Sequence, residues 1–214
     1  MSTAMESAAG FDACAGLRRL ARAELPVDTV KMARYLIGKV IVHDTTKGRL
    51  CGRIVETEAY PVGDEAGHAF RGRTPRNRAL FLERGHAYVY LVYGLSILLN
   101  VSSENAGIGA GVLLRAIEPL DGKGRENGSR QSKEWTDLGK GPGRLTKALK
   151  VNLRHNGVDL CSENSLLWLA AIQRSSDAIG TSVRIGLTHG TSDLLRFFER
   201  GSEFISGPRK LLRG

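Results

Sequence analysis

Residues 86–102 read HAYVYLVYGLSILLNVS. Two apolar runs rich in β-branched and aromatic residues flank Gly94-Leu95, and so short a break folds the chain back as an antiparallel hairpin. A second pair lies upstream. Residues 39–43 (KVIVH) and the longer run 49–60 are separated by DTTKG, which is turn chemistry. Residues 111–117, 182–188 and 194–199 predict further strands. Helical spacing is sparser. It covers residues 17–25, residues 27–37 with Asp28 as N-cap and Gly38 as stop, and residues 144–150 after Gly141-Pro142-Gly143. Residues 61–85 form a long loop with one short helix near 77–83, and residues 121–139 form another loop. Nothing supplies the β-α-β alternation or the G-x-G-x-x-G of a dinucleotide-binding fold. The pattern predicts an α+β domain with a mainly antiparallel sheet.

The 214 residues suit one domain over 17–214, behind a small-residue tail (1–16) expected to be disordered. The net charge of +9 favours a polyanionic partner, nucleic acid ahead of an anionic membrane surface. Cys14, Cys51 and Cys161 are far apart and show no zinc spacing, so they are read as reduced thiols in a cytosolic or nuclear compartment. No apolar run reaches membrane-spanning length. The N-terminus lacks the basic and apolar regions of a secretory signal.

The residues able to do chemistry concentrate between Arg53 and Pro119. Glu56 and Glu58 lie two apart on a predicted strand, hence on one face. An acid that activates water must be positioned and desolvated. Periodicity alone favours the plainer reading, an exposed face carrying two solvated acids. His68, in DEAGH, has no companions at metal-ligand spacing, so it is an ordinary hydrogen-bonding residue or a donor to a ligand. Arg71, Arg73, Arg76 and Arg78 crowd around Thr74-Pro75 with no acid among them. The alternatives are a solvated loop face and phosphate ligands; four charges of one sign shift the balance toward phosphate, with the Thr74 hydroxyl as a further contact. Tyr88 and Tyr90 share strand parity. Tyr93 falls at the hairpin tip, where a large ring either folds back onto the sheet or wedges into a base stack.

RIVETEAY, DEAGH, TPRNR, YVYLVYG, LLRAIEP and GPGRLTKAL, in this order, closely resemble the alkyladenine (3-methyladenine) DNA glycosylase family. The likeness runs from about residue 17 to residue 201. It implies a single domain with a curved antiparallel sheet, flanking helices and a protruding hairpin. It also implies a monofunctional glycosylase that flips an alkylated purine out of double-stranded DNA and hydrolyses its N-glycosidic bond. The resemblance makes Glu58 the general base, with Arg115 and the backbone carbonyl of Ile185 holding the attacking water. Tyr60, His68 and Tyr90 would sandwich the base, and Asn100 would crowd the exocyclic amine of normal guanine. Tyr93 would fill the gap in the duplex beside Leu95. Ser96 stands where relatives often have an aromatic, and residues 189–193 lack a Trp-bearing stretch. The expected partner is lesion-containing DNA, bound by a monomer without metal or organic cofactor, in a bacterial nucleoid or a nucleus. The rival is a non-catalytic nucleic-acid- or lesion-binding module, which would have no use for a carboxylate beside a polyanion.

Overall fold

A computed structural model of the chain describes residue 14 and residues 16–120, 133–172, 178–187, 192–208 and 211. Among these, nine strands form one curled sheet. They are β1 (Arg18–Arg19), β2 (Val40–Thr45), β3 (Gly48–Tyr60), β4 (Ala87–Val92), β5 (Ser96–Ser102), β6 (Gly111–Pro119), β7 (Leu167–Ala171), β8 (Ile179–Ser182) and β9 (Arg196–Glu199). The order is β1-β7-β2-β3-β6-β5-β4, with β9 joining β3 and β8 joining β9. The pairings are antiparallel. Three helices flank the sheet: α1 (Thr29–Leu36), α2 (Lys133–Leu138) and α3 (Pro142–Ala148). No helix among the described residues is long and apolar enough to cross a membrane. The α+β class and the antiparallel sheet expected from the sequence are what the chain adopts.

The central element is β3. One edge runs along β6; the other is shared, residues 48–53 by β2 and residues 56–58 by β9. Its two faces enter different cores. Ile54 joins Met32, Ala33 and Leu36 of α1, while Val55 joins Ala116, Trp135 and Phe204. Both faces are therefore buried, and Arg53, Glu56, Thr57 and Glu58 are buried with them. The helix that covers the first face is held at its start by Asp28, whose carboxylate accepts from the Lys31 N–H at 2.7 Å. Such a cap stabilises by about 1 kcal/mol. Fully buried Leu36 closes the helix against the sheet, and Leu36→Ala would cost about 2–5 kcal/mol.

The β3–β6 ladder carries a compensated irregularity. Ile54 faces Ile117, Glu56 faces Ala116 and Thr57 faces Leu114. Val55 on β3 and Arg115 on β6 are thus left without opposite numbers. A bulge twists the strand locally and re-aims the side chain it carries. Here it concerns the arginine that the functional site uses.

Several expectations are corrected. Residues 17–25 are not a helix: Arg18 and Arg19 pair with β7, and a 3₁₀ turn follows at Arg22–Glu24. Nine residues nucleate a lone helix poorly, whereas a free sheet edge satisfies their backbone at once. Strand β7 lies outside the elements that the sequence predicts. The loop over 121–139 lies partly outside the described residues, and its end forms α2 because Trp135 buries against Phe204. The strand over 182–188 stops at Ser182. Beyond it, the backbone turns at Gly186 (φ +78°), and the Ile185 N–H bonds a side chain instead of a ladder partner. The hairpin turn is Tyr93-Gly94, not Gly94-Leu95: both have positive φ, and the Leu95 N–H closes onto the Val92 carbonyl at 3.0 Å. Two thiols are not free, since Cys14 and Cys51 are joined as a disulfide with Cα atoms 6.3 Å apart. The tail expected over 1–16 otherwise falls almost wholly outside the described residues.

Candidate active site

A pocket of about 510 Å³ opens beside the β4–β5 hairpin. Its lining draws on six regions: the end of β3, the loop after it, β4 and β5, β6, the start of α3, and the bend at Ile185. Tyr60, His68, Tyr90, Asn100, Arg115 and Ile185 all contribute to it. The structure thus brings together the residues expected from sequence to contact the flipped base with Arg115 and Ile185, expected to hold the water, although the set spans more than 120 positions. Only Glu58 is absent from the lining.

Glu58 lies beneath it, with no exposed surface. Its Oε1 accepts from the Ile185 backbone N–H at 2.8 Å and is 3.1 Å from Nη1 of Arg115. Its Oε2 accepts from the Tyr60 hydroxyl at 3.0 Å. Burial, reinforced by Glu58, pushes the Tyr60 phenol far above its usual range, so Tyr60 keeps its proton and donates. For Arg115, burial disfavours the charge, but the carboxylates of Glu58 and Glu56 outweigh it and the guanidinium holds its proton more tightly still.

Glu56 is equally buried but spoken for. It accepts from Arg115 Nε at 3.1 Å, Arg196 Nε at 2.6 Å, the Ser206 hydroxyl at 3.0 Å and the Ser206 N–H at 2.6 Å. Two carboxylates and two guanidiniums thus balance in a buried cluster, which keeps ionised groups tolerable there. The plain reading of two solvated acids is overturned. Among the described residues, the partners of Glu56 are Arg115, Arg196 and Ser206, all buried, whereas Oε2 of Glu58 accepts from the hydroxyl of Tyr60, which lines the pocket.

The aromatic wall is built by hydrogen bonding as much as by packing. His68 Nδ1 lies 2.8 Å from the Tyr88 hydroxyl, and its ring centroid is 4.5 Å from that of Tyr90. Tyr90 in turn stacks on buried Tyr88, with centroids 5.1 Å apart and planes 23° from parallel. Burial raises the Tyr90 phenol to about 12. Burial, aided by the charge of Arg76, lowers the imidazole of His68, so the wall is uncharged at neutral pH. Asn100 is fixed by its side-chain amide, which donates to the Tyr88 carbonyl at 3.3 Å.

Beside the pocket the surface is basic and apolar by turns. Tyr93 is 92% exposed and Leu95 83% exposed at the hairpin tip, so the ring does not fold back onto the sheet. Arg71, Arg73, Thr74, Arg76 and Arg78 are exposed on the loop after His68. Buried Asn77 sets that loop: its amide donates to the carbonyls of His68 and Gly72, and its oxygen accepts from the Thr74 N–H. Ser96, beside the hairpin tip, packs against Gly143; a side chain at Gly143 would come within 3.2 Å of its hydroxyl.

Sequence reasoning missed four contributors. Arg184 pairs with Asp64, donates to the Ala59 carbonyl at 2.9 Å and lies over the Tyr60 ring, 4.7 Å from its centroid. Arg196 and Ser206 hold Glu56. A clue existed for Arg196, a lone charge inside the apolar run LLRFF, which signals a buried partner.

Residues 23–203 match the methylpurine-DNA glycosylase family. The chain belongs to that family. A protein of Mesorhizobium japonicum is 58% identical over 192 residues, which cover 90% of this chain and 92% of the relative. One from Paraburkholderia phytofirmans is 54% identical over 193 residues, 90% of each chain. One from Chlorobaculum tepidum is 42% identical over 193 residues, covering 89% and 91%. All three carry the provisional name 3-methyladenine DNA glycosylase. A methylpurine-DNA glycosylase is a DNA repair enzyme, a hydrolase of N-glycosyl bonds.

Proposed function

We propose that this member of the family removes alkylated purines from double-stranded DNA by hydrolysis, with Glu58 as general base. The observation that carries the reading is the placement of Glu58: a fully buried carboxylate at the pocket floor, with one oxygen toward Tyr60 and the other on Arg115 and Ile185. A base flipped into the pocket stacks between Tyr60 and the His68–Tyr90 wall. An electron-poor, alkylated ring gains most from such stacking. Glu58 takes a proton from a water that attacks C1′ from the face opposite the base, while Arg115 and the Ile185 carbonyl hold that water. The C1′–N bond breaks, its electrons leave with the purine, and the products are a free base and an abasic sugar. A cationic base such as 3-methyladenine or 7-methylguanine leaves without acid assistance. Hypoxanthine and ethenoadenine, being neutral, need a proton on the leaving ring. Asn100 crowds the exocyclic amine of normal guanine.

At the rim of the pocket and beyond it, Tyr93 fills the vacated stack with Leu95 beside it, and Arg71, Arg73, Thr74 and Arg76 contact phosphates. Flipping costs a few kcal/mol and is cheapest for a base whose pairing is already damaged, which supplies selectivity. The protein acts as a monomer on chromosomal DNA. Incubating it with methylated DNA should release free 3-methyladenine, detected by chromatography; intact substrate after prolonged incubation would refute the reading.

A further inference from the structure

The family match ends at residue 203, yet the next four residues turn back into the protein. Phe204 is buried and meets Trp135 edge-on, with ring centroids 4.8 Å apart. Ile205 and Ser206 are buried behind it. The Ser206 N–H donates to Glu56 Oε2 at 2.6 Å, and its hydroxyl donates to Glu56 Oε1 at 3.0 Å. The same hydroxyl oxygen accepts from Nη2 of Arg115 at 3.3 Å. The Ser206 carbonyl accepts from Nη2 of Arg196 at 2.7 Å. Gly207 follows with φ +85°, and a Cβ there would lie 2.4 Å from Cδ1 of Ile185. Residues 204–207 therefore touch both Arg115 and Ile185, the two groups that flank Glu58.

A guanidinium is a rigid plane. Arg115 is held at Nε by Glu56 and at Nη2 by Ser206, and these two anchors fix where Nη1 points. It points at Glu58. Without the Ser206 hydroxyl, Nη2 loses its anchor, and the plane is held only by the bond from Nε to Glu56 and the contact with Glu58 itself. We propose that residues 204–207 are a positioning element of the active site, in which Ser206 sets the plane of Arg115 toward Glu58 and Gly207 backs Ile185. The proposal rests on the roles given above to Glu58 and Arg115.

Ser206→Ala is the mildest probe, because it keeps the N–H bond to Glu56 and the buried Phe204 anchor. The Arg115 Nε–H resonance, assigned in ¹⁵N spectra by comparison with Arg115→Lys, reads the anchoring without any substrate. It should shift and exchange faster with water in Ser206→Ala, and return in Ser206→Thr. An unmoved resonance overturns the proposal. On lesion-containing DNA, single-turnover base release should slow by about tenfold, the scale of one buried bond to a charged group, while the dissociation constant stays constant. In the Arg115→Lys background the same change should cost nothing further, because Ser206 acts through that guanidinium. A full tenfold loss in that background would mark a general structural role and overturn the proposal. If the unmutated protein releases no base, the glycosylase reading fails by itself, and the Arg115 resonance still decides whether Ser206 holds the guanidinium.

Discussion

Glu56 and Glu58 share one guanidinium: Nε of Arg115 lies 3.1 Å from the first carboxylate and Nη1 lies 3.1 Å from the second. The arginine sits at the irregularity of β6, and this lets one side chain serve two acids on the neighbouring strand. The two acids have different tasks because their other partners differ. Glu56 meets Arg196 and Ser206; Glu58 meets Tyr60 and Ile185.

Glu58→Gln and Glu56→Gln should therefore fail in different ways. Glu58→Gln should slow single-turnover excision by about 10²–10⁴-fold, the usual worth of a general base, with lesion binding retained. Glu56→Gln should lower stability by about 3–5 kcal/mol, because it leaves buried Arg115 and Arg196 short of a counter-charge. Denaturant melts beside excision assays separate the two. A Glu58→Gln protein that excises at the normal rate would rule Glu58 out and make Glu56 the first alternative.

Tyr93→Ser should weaken binding to lesion DNA by about 1–3 kcal/mol, the scale of one base-stacking interaction. Binding to undamaged duplex should change less, since the ring is needed only where a base has left the stack. Fluorescence anisotropy on matched duplexes measures both, and equal losses would make Tyr93 a general DNA-binding residue.

Binding should fall steeply with salt, and the slope should report the exposed loop arginines. Changing Arg71, Arg73 or Arg76 to Ala should flatten the plot of log affinity against log salt by about 0.9 for each phosphate that is no longer neutralised. An unchanged slope would remove that arginine from the interface.

His68 should titrate below the ordinary 6.5, because burial and then Arg76 oppose its charge. Between the two values the unfolded chain binds a proton that the folded chain refuses. The stability associated with His68 is therefore complete above the unfolded value and is lost as pH falls through the folded one. NMR titration should show the depressed value, and Arg76→Ala should raise it. A His68 that titrates at or above 6.5 would contradict the uncharged pocket wall.

No Schiff base should form. The nine lysines all fall outside residues 53–119, and none lines the pocket among the described residues. Lys140, on the nearby loop, donates its Nζ to the Glu203 carbonyl at 3.3 Å. Borohydride should trap no protein–DNA adduct, and the abasic strand should stay intact until base or heat is applied.

The sequence shows its strands and hairpins clearly because β2, β4 and β5 carry apolar runs between short turns. It shows the pocket only through family resemblance. Glu56, Glu58, Arg115 and Arg196 are buried charged residues on β3 and its neighbours β6 and β9, and alternation along β3 cannot mark burial where both faces are covered. The bulge at Arg115 and the bend at Ile185 depend on pairing between distant segments, which no local spacing records. The bond from Ser206 to Glu56 spans 150 positions and could not be read from either end.

Tyr93 has φ +49°, a left-handed backbone conformation that costs most residues about 1–2 kcal/mol and glycine or asparagine far less. The hairpin would be more secure with either at its apex. A search for thermostable variants should therefore favour Tyr93→Asn or Tyr93→Gly, and those winners should be the proteins least able to hold an extruded nucleotide. At this one position, selection for robustness and selection for repair pull in opposite directions.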